Sequence, residues 1–338
     1  MKNYRWTARI VAFVLIFCTA SAWGQSIDFH DYFKPLPTVA EEMEQLPNKA
    51  IVGLGKRLFL ETAMSQNRDL SCSSCHDLAR FGVDSLSTSI GHKGQRGTRN
   101  APSVYNASFH IAQFWDGRAS NLEEQALQPI LNPREMAMSD EQEVLFRLTS
   151  PEVLQGRYPS LFVKAFPDES APLTFANIGR AIGAFERTLL TPAPFDDFLR
   201  GTHDALSPTQ LGGLEKFVDL GCVACHAGRG VGGRMYQKLG MIVPYESSDM
   251  GRYEVTGLES DRQVFKVPSL RNVAMTAPYF HDGSISSLRE AVRLMGHHQL
   301  GTELTTTEID ELVEFLGSLT GVPPVIETRL QGAILRVL

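Results

Sequence analysis

Apolar residues recur at helical spacing in two stretches that read alike. Leu211, Leu214, Phe217 and Val218 follow Ser207-Pro208-Thr209-Gln210, which supplies a cap, a proline at the first helical position and a capping-box partner. Ile51, Leu54, Leu58 and Phe59 repeat the pattern earlier, and Gly53-Leu54-Gly55-Lys56 is echoed by Gly213-Leu214-Glu215-Lys216. A third amphipathic helix, IGRAIGAFERTLLTP (178–192), runs into prolines and marks a domain boundary. Few stretches alternate in the manner of strands, so the pattern predicts an all-α, loop-rich fold.

A longer echo extends the repeat. APSVYNASFHIAQFWDGRASNLEE (101–124) lies over VPSLRNVAMTAPYFHDGSISSLRE (267–290) at a constant offset of 166 without a gap. Pro102, Ser103, Asn106, Phe114, Asp116, Gly117, Leu122 and Glu124 all reappear. This reads as an internal duplication. The expected organisation is a signal peptide over 1–24, a first domain over 25–188, a second over 189–322, and a tail over 323–338 packing back on the first domain.

Each half carries one CxxCH, CSSCH at 72–76 and CVACH at 222–226. Cys72 with Cys75, and Cys222 with Cys225, are spaced to add across haem vinyl groups, with His76 and His226 as proximal iron ligands. The prediction is two cytochrome c-like domains, each holding one covalently bound haem c. The fifth cysteine, Cys18, lies in a leader with a basic start (Lys2, Arg5, Arg9), an apolar run (Ile10 to Phe17) and a small-residue exit. That run is too short to span a bilayer, and bulky Phe17 before Cys18 argues against lipid attachment, so export without a membrane anchor is expected. Removing the leader takes three positive charges from a net −6 and leaves −9, which argues against nucleic acid and mildly favours a basic partner.

The duplication also compares the two irons. At offset 166, Met295 in LMGHHQL falls opposite Pro129, so the second half offers a thioether where the first offers none. Met295 is the expected sixth ligand of the second haem, with His298 as its rival. Histidine with methionine raises the potential and closes the iron to small molecules. In the first half the nearest ligand is His92, held between glycines on a loop free to move, with Met136 and Met138 as substitutes. Gln125 and Glu135 follow the first-half echo where the second has Ala291 and Gly301, so polar side chains suited to proton transfer occur in one half alone. Trp115, replaced by His281 in the second half, is either a packed ring or an electron bridge.

Together, CSSCH, GHKGQRGTRNAPSVYN, FWDGRASNLEEQALQPI, NPREM, IGAFERTL, GCVACH, VPSLRN, TAPYFHDGS and LMGHHQLG resemble the bacterial dihaem cytochrome c peroxidases over essentially the whole mature length. The resemblance implies hydrogen peroxide reduction to water with two electrons from a small periplasmic cytochrome c or cupredoxin. It implies a low-potential peroxidatic haem in the first domain, with His76 proximal and His92 displaceable, and a high-potential haem in the second, with His226 and Met295. It assigns Gln125 and Glu135 to the peroxide pocket, Trp115 to the gap between haems, and a calcium ion to Asn100 and the carbonyls of Thr276 and Pro278. Members are usually periplasmic homodimers in which reducing the second haem releases the histidine from the first. One departure is His297, where a basic, arginine-type residue is usual. A related methylamine-utilisation enzyme, which oxidises a protein substrate, is similar at Trp115, Gln125, Pro129 and Glu135 but has tyrosine where Met295 stands. A dihaem electron carrier without catalysis is the remaining alternative.

Overall fold

The computed structural model describes residues 27–46, 48–324, 326–330 and 333–337. The expected signal peptide lies outside them. The first half holds α1 (Val39–Glu44), α2 (Lys49–Phe59), α3 (Cys72–Cys75), α4 (Leu122–Leu131), α5 (Glu141–Thr149), α6 (Tyr158–Ala165) and α7 (Phe175–Glu186). The second holds α8 (Pro194–Leu199), α9 (Pro208–Asp219), α10 (Tyr253–Thr256), α11 (Leu288–Met295) and α12 (Thr306–Gly317). The fold is helix-rich, as expected, but not purely helical. Strand β1 (Tyr236–Lys238) pairs antiparallel with β2 (Val264–Lys266), and in the tail β3 (Ile326–Leu330) pairs with β4 (Ala333–Val337). β1 and β2 are three residues each, too short for a two-residue period to register in the sequence.

Apolar spacing sets the packing. Ile51, Leu54, Leu58 and Phe59 of α2 bury against Ile178, Ala181, Ile182 and Phe185 of α7 in the first core. Leu214 and Phe217 of α9 bury against Leu312, Phe315 and Leu316 of α12 in the second. Each of the leucine, isoleucine and phenylalanine side chains contributes about 1.5–3 kcal/mol by leaving water. The expected capping box forms at Ser207, whose hydroxyl accepts from Gln210 N at 3.2 Å while Gln210 Oε1 accepts from Ser207 N at 3.0 Å. The crossing in each pair is set by a glycine without room for a methyl. A Cβ on Gly55 would lie 1.8 Å from the Ala181 carbonyl oxygen, and one on Gly213 would lie 2.0 Å from that of Glu311. The contacts therefore match Gly55, not Gly53, with Gly213.

The segment around Phe33 belongs to the second core, although its position in the chain placed it with the first domain. Phe33 packs edge-on against Phe195 at 5.2 Å, and Leu36 N donates to Asp196 Oδ1 at 2.7 Å. Asp196 is fully buried against Arg271, with Nη1 and Nη2 donating to its two oxygens at 2.7 and 2.9 Å. The two halves meet at Thr191. Asn106 and Asn272, both at φ +60°, donate their side-chain amides to its hydroxyl at 2.8 and 2.9 Å. Their backbone N–H groups donate to Leu189 and Leu319 respectively.

Candidate functional site

Both CxxCH motifs close a tight turn in which His76 N donates to Cys72 O, and His226 N to Cys222 O, each at 2.9 Å. The four cysteines are free, so their thiols are available for thioether bonds. His76 Nδ1 lies 3.2 Å from Gly82 O, a contact that selects the tautomer with Nε2 open to a metal. The carbonyl of Pro102 also faces His76, and that of Pro268, its counterpart at offset 166, faces His226. His226 Nδ1 is buried and makes no hydrogen bond of good geometry, though the Val231 carbonyl also lies nearby. Burial lowers both imidazole pKa values, that of His226 to about 4, so each ring is neutral and able to donate a lone pair. Gly232 at φ +122° makes room behind His226: a Cβ there would lie 2.3 Å from Pro268 O and 3.1 Å from His226 Nδ1. Free thiol pairs beside neutral, oriented imidazoles fit haem c.

In the first half, Cys72, Cys75 and His76 line a cavity that opens to solvent, about 1300 Å³ with the solvent at its mouth included. Gln125 and Pro129 reach it from α4, and Glu135 and Met136 from the loop that follows. Burial raises the Glu135 carboxyl pKa, with Arg118 and the Asn132 amide opposing; that amide donates to Oε1 at 2.8 Å. Trp115 forms another part of the wall. Its indole N–H donates to Asn100 O at 2.9 Å and its carbonyl accepts from Lys266 N at 2.7 Å, so it joins the cavity to β2 of the second half. His281 stands edge-on to it at 6.5 Å.

His92 is only 8% exposed and its Nδ1 has no partner, yet it does not line the cavity. Its backbone N–H donates to Glu135 O, and Gly91 packs so tightly on Arg134 and Glu135 that a Cβ would lie 2.0 Å from Arg134 O. Met138 is buried in the first core, away from the cavity lining.

In the second half, Met295 ends α11, which starts 166 residues after α4. A π-helical turn, Gly296–Leu300, follows it, a rare geometry that gathers at functional sites. His298 Nδ1 lies 2.9 Å from Val243 O, and His297 Nδ1 pairs with Glu303 at 2.5 Å. Asn100 also lines the first-half cavity, and its amide donates to Leu86 O and Ser87 O at 3.0 and 3.4 Å. Thr276 and Pro278 lie outside that lining. Sequence reasoning passed over Glu186, a buried carboxyl on the same cavity wall. The available signal was a charged residue four places after Ile182 and eight after Ile178, on the helix face that α7 buries.

Residues 49–204 match the family model described as di-haem cytochrome c peroxidase. The chain is 41% identical to cytochrome c551 peroxidase of Pseudomonas aeruginosa, over 94% of each protein. It is 45% identical to cytochrome c551 peroxidase of Nitrosomonas europaea, over 86% of this chain and 84% of that protein. A solved MauG-like protein associated with microbial copper homeostasis superposes with a TM-score of 0.72 at 29% identity, over 89% of this chain and 96% of that one. The chain is a dihaem peroxidase and belongs to the di-haem cytochrome c peroxidase family.

Proposed function

We propose that the first-half cavity is where hydrogen peroxide is reduced to two waters, with two electrons drawn from a small cytochrome c or cupredoxin in the periplasm. The observation that carries the reading is the meeting of His76, Gln125 and Glu135 around one cavity, in the half that lacks a counterpart to Met295. The haem held by Cys72, Cys75 and His76 would supply electrons and an iron position at which the O–O bond is cleaved. Glu135 takes the proton from one peroxide oxygen and returns it to the other, and its burial raises the carboxyl pKa, which favours holding the proton between the two transfers. Gln125 orients peroxide through its side-chain amide. His92, off the cavity lining here, would serve as the displaceable ligand of a resting state, its loop carrying it to and from the cavity.

His226 and Met295 would hold the second haem, which would supply the entry point for electrons, and Trp115 stands on the route between the halves. The paired contacts of Asn106 and Asn272, and of Gly55 and Gly213, support an origin by internal duplication. Asn100 with the carbonyls of Thr276 and Pro278 is the proposed calcium set, and a homodimer is the proposed assembly. Methionine rather than tyrosine at 295 weighs against oxidation of a protein substrate.

The test is peroxide-dependent oxidation of a reduced small cytochrome c by the Glu135→Gln variant. Turnover is expected to fall by about 10²–10⁴-fold with both haems still attached. Wild-type rates in that variant would remove Glu135 from the mechanism.

A further inference from the structure

Each peroxide reduced takes up two protons along with two electrons, and a second carboxyl lines the same cavity as Glu135. Glu186, at the end of α7, is 3% exposed, and among the described residues no hydrogen bond reaches its oxygens. The matching helix of the other half shows what packing alone would put there. Thr188 Oγ1 donates to Phe185 O at 2.6 Å, and Ser318 Oγ donates to Phe315 O at 2.7 Å. Gly55 meets the Phe185 Cβ position as Gly213 meets that of Phe315. These contacts share an offset of 130, which sets Glu186 in the place of buried Leu316. An ionisable group without a partner is costly to bury, and a leucine would serve the core better.

The groups facing Glu186 are few. Glu123 on α4 and Arg187 beside it on the chain pair with each other at 2.5 Å and are part-exposed, so they lead from the carboxyl to solvent. Cys72 on α3 feels its charge. Cys75, His76, Arg99, Arg118, Arg134 and Glu135 share the cavity. We propose that Glu186 is a second acid of this site, taking up a proton from solvent past the Glu123–Arg187 pair when the first-half site is reduced and releasing it as peroxide becomes water. Its burial, reinforced by Glu123 and opposed by Arg187, pushes the carboxyl up to about 8, so it loses its proton only above neutral pH and regains it there when the site is reduced. An added electron nearby disfavours the carboxylate and draws the proton in. In the overall step the O–O bond breaks and two new O–H bonds form. The electrons come from the donor protein and the protons from solvent, one by way of the Glu186 carboxyl, which is left as carboxylate and reprotonated at the next reduction.

This rests on the first-half cavity being the peroxide site. The experiment is a redox titration of both haems in the holoenzyme from neutral to alkaline pH, with dye-detected proton uptake, for the wild type, Glu186→Gln and Glu135→Gln. Glu186→Leu, which copies Leu316, serves as the second variant should the amide disturb folding. In the wild type the first-half potential is expected to fall as pH rises, because the reduced form binds more protons. The limit is about 59 mV for each tenfold change in proton activity. Glu186→Gln should lose most of that slope and the matching proton uptake, and leave the second haem unaltered. A slope that survives in Glu186→Gln or Glu186→Leu and disappears in Glu135→Gln would overturn the proposal. A wild type that shows the Glu186-dependent slope without peroxide turnover would instead defeat the functional reading and leave the acid in place.

Discussion

Met295 and Pro129 hold corresponding places on α11 and α4, and that difference bears on which of the two irons is closed in the roles proposed for the two halves. A thioether on the iron raises the potential of the haem that carries it. Met295→Ala is therefore expected to abolish the methionine–iron signature in the oxidised spectrum and to lower the potential of the second haem alone, as followed by spectroelectrochemistry. An unchanged spectrum would hand the ligand to another side chain. Much of the site was legible at this scale. Gln125 and Glu135 stood out because their partners at offset 166 are Ala291 and Gly301, and both line the first-half cavity. Glu186 did not, because its partner lies at offset 130, beyond a change in loop length that a single register cannot cross. Nor did the carbonyls of Gly82, Pro102 and Pro268, since a backbone acceptor leaves no side-chain signature.

The helix pairs α2–α7 and α9–α12 make their closest approach at glycines, and the neighbouring glycines separate packing from propensity. Gly53 and Gly212 have nothing within 4 Å of an added Cβ, whereas Gly55 and Gly213 would drive one into a carbonyl oxygen. Gly53→Ala should be neutral or stabilise by up to about 1 kcal/mol through helix propensity. Gly55→Ala should cost about 1–3 kcal/mol or more by overpacking the crossing. Chemical denaturation of the holoenzyme distinguishes them, and equal effects would contradict this account of the crossing. The helices themselves were readable from apolar spacing and the Ser207 capping box. The crossing register was not: the letters of the sequence align Gly53 with Gly213, but which glycine meets a partner helix depends on the whole packed pair.

At the scale of the molecule, Thr191 ties the halves through hydrogen bonds to Asn106 and Asn272, all three buried. Thr191→Val keeps the shape and leaves two amide donors without their acceptor, at a cost of about 1–3 kcal/mol each. Denaturant unfolding should show that loss, and an unchanged midpoint would mean the two halves are held elsewhere. The repeat led to an expectation of two domains, and the buried apolar residues gather in two clusters; the crossing of the Phe33 segment to the second was not legible, because it depends on Phe195 and Asp196 far along the chain. The most direct test of the whole account is peroxide turnover with a reduced small cytochrome c, comparing fully oxidised enzyme with enzyme given one electron per dihaem unit. The account predicts two donor molecules oxidised for each peroxide, with activity appearing only after the single electron has released the His92 loop. Equal activity in both states would keep the peroxidase and remove that gate. No donor oxidation in either state, with spectra that ignore peroxide, would contradict peroxide reduction at the His76 cavity.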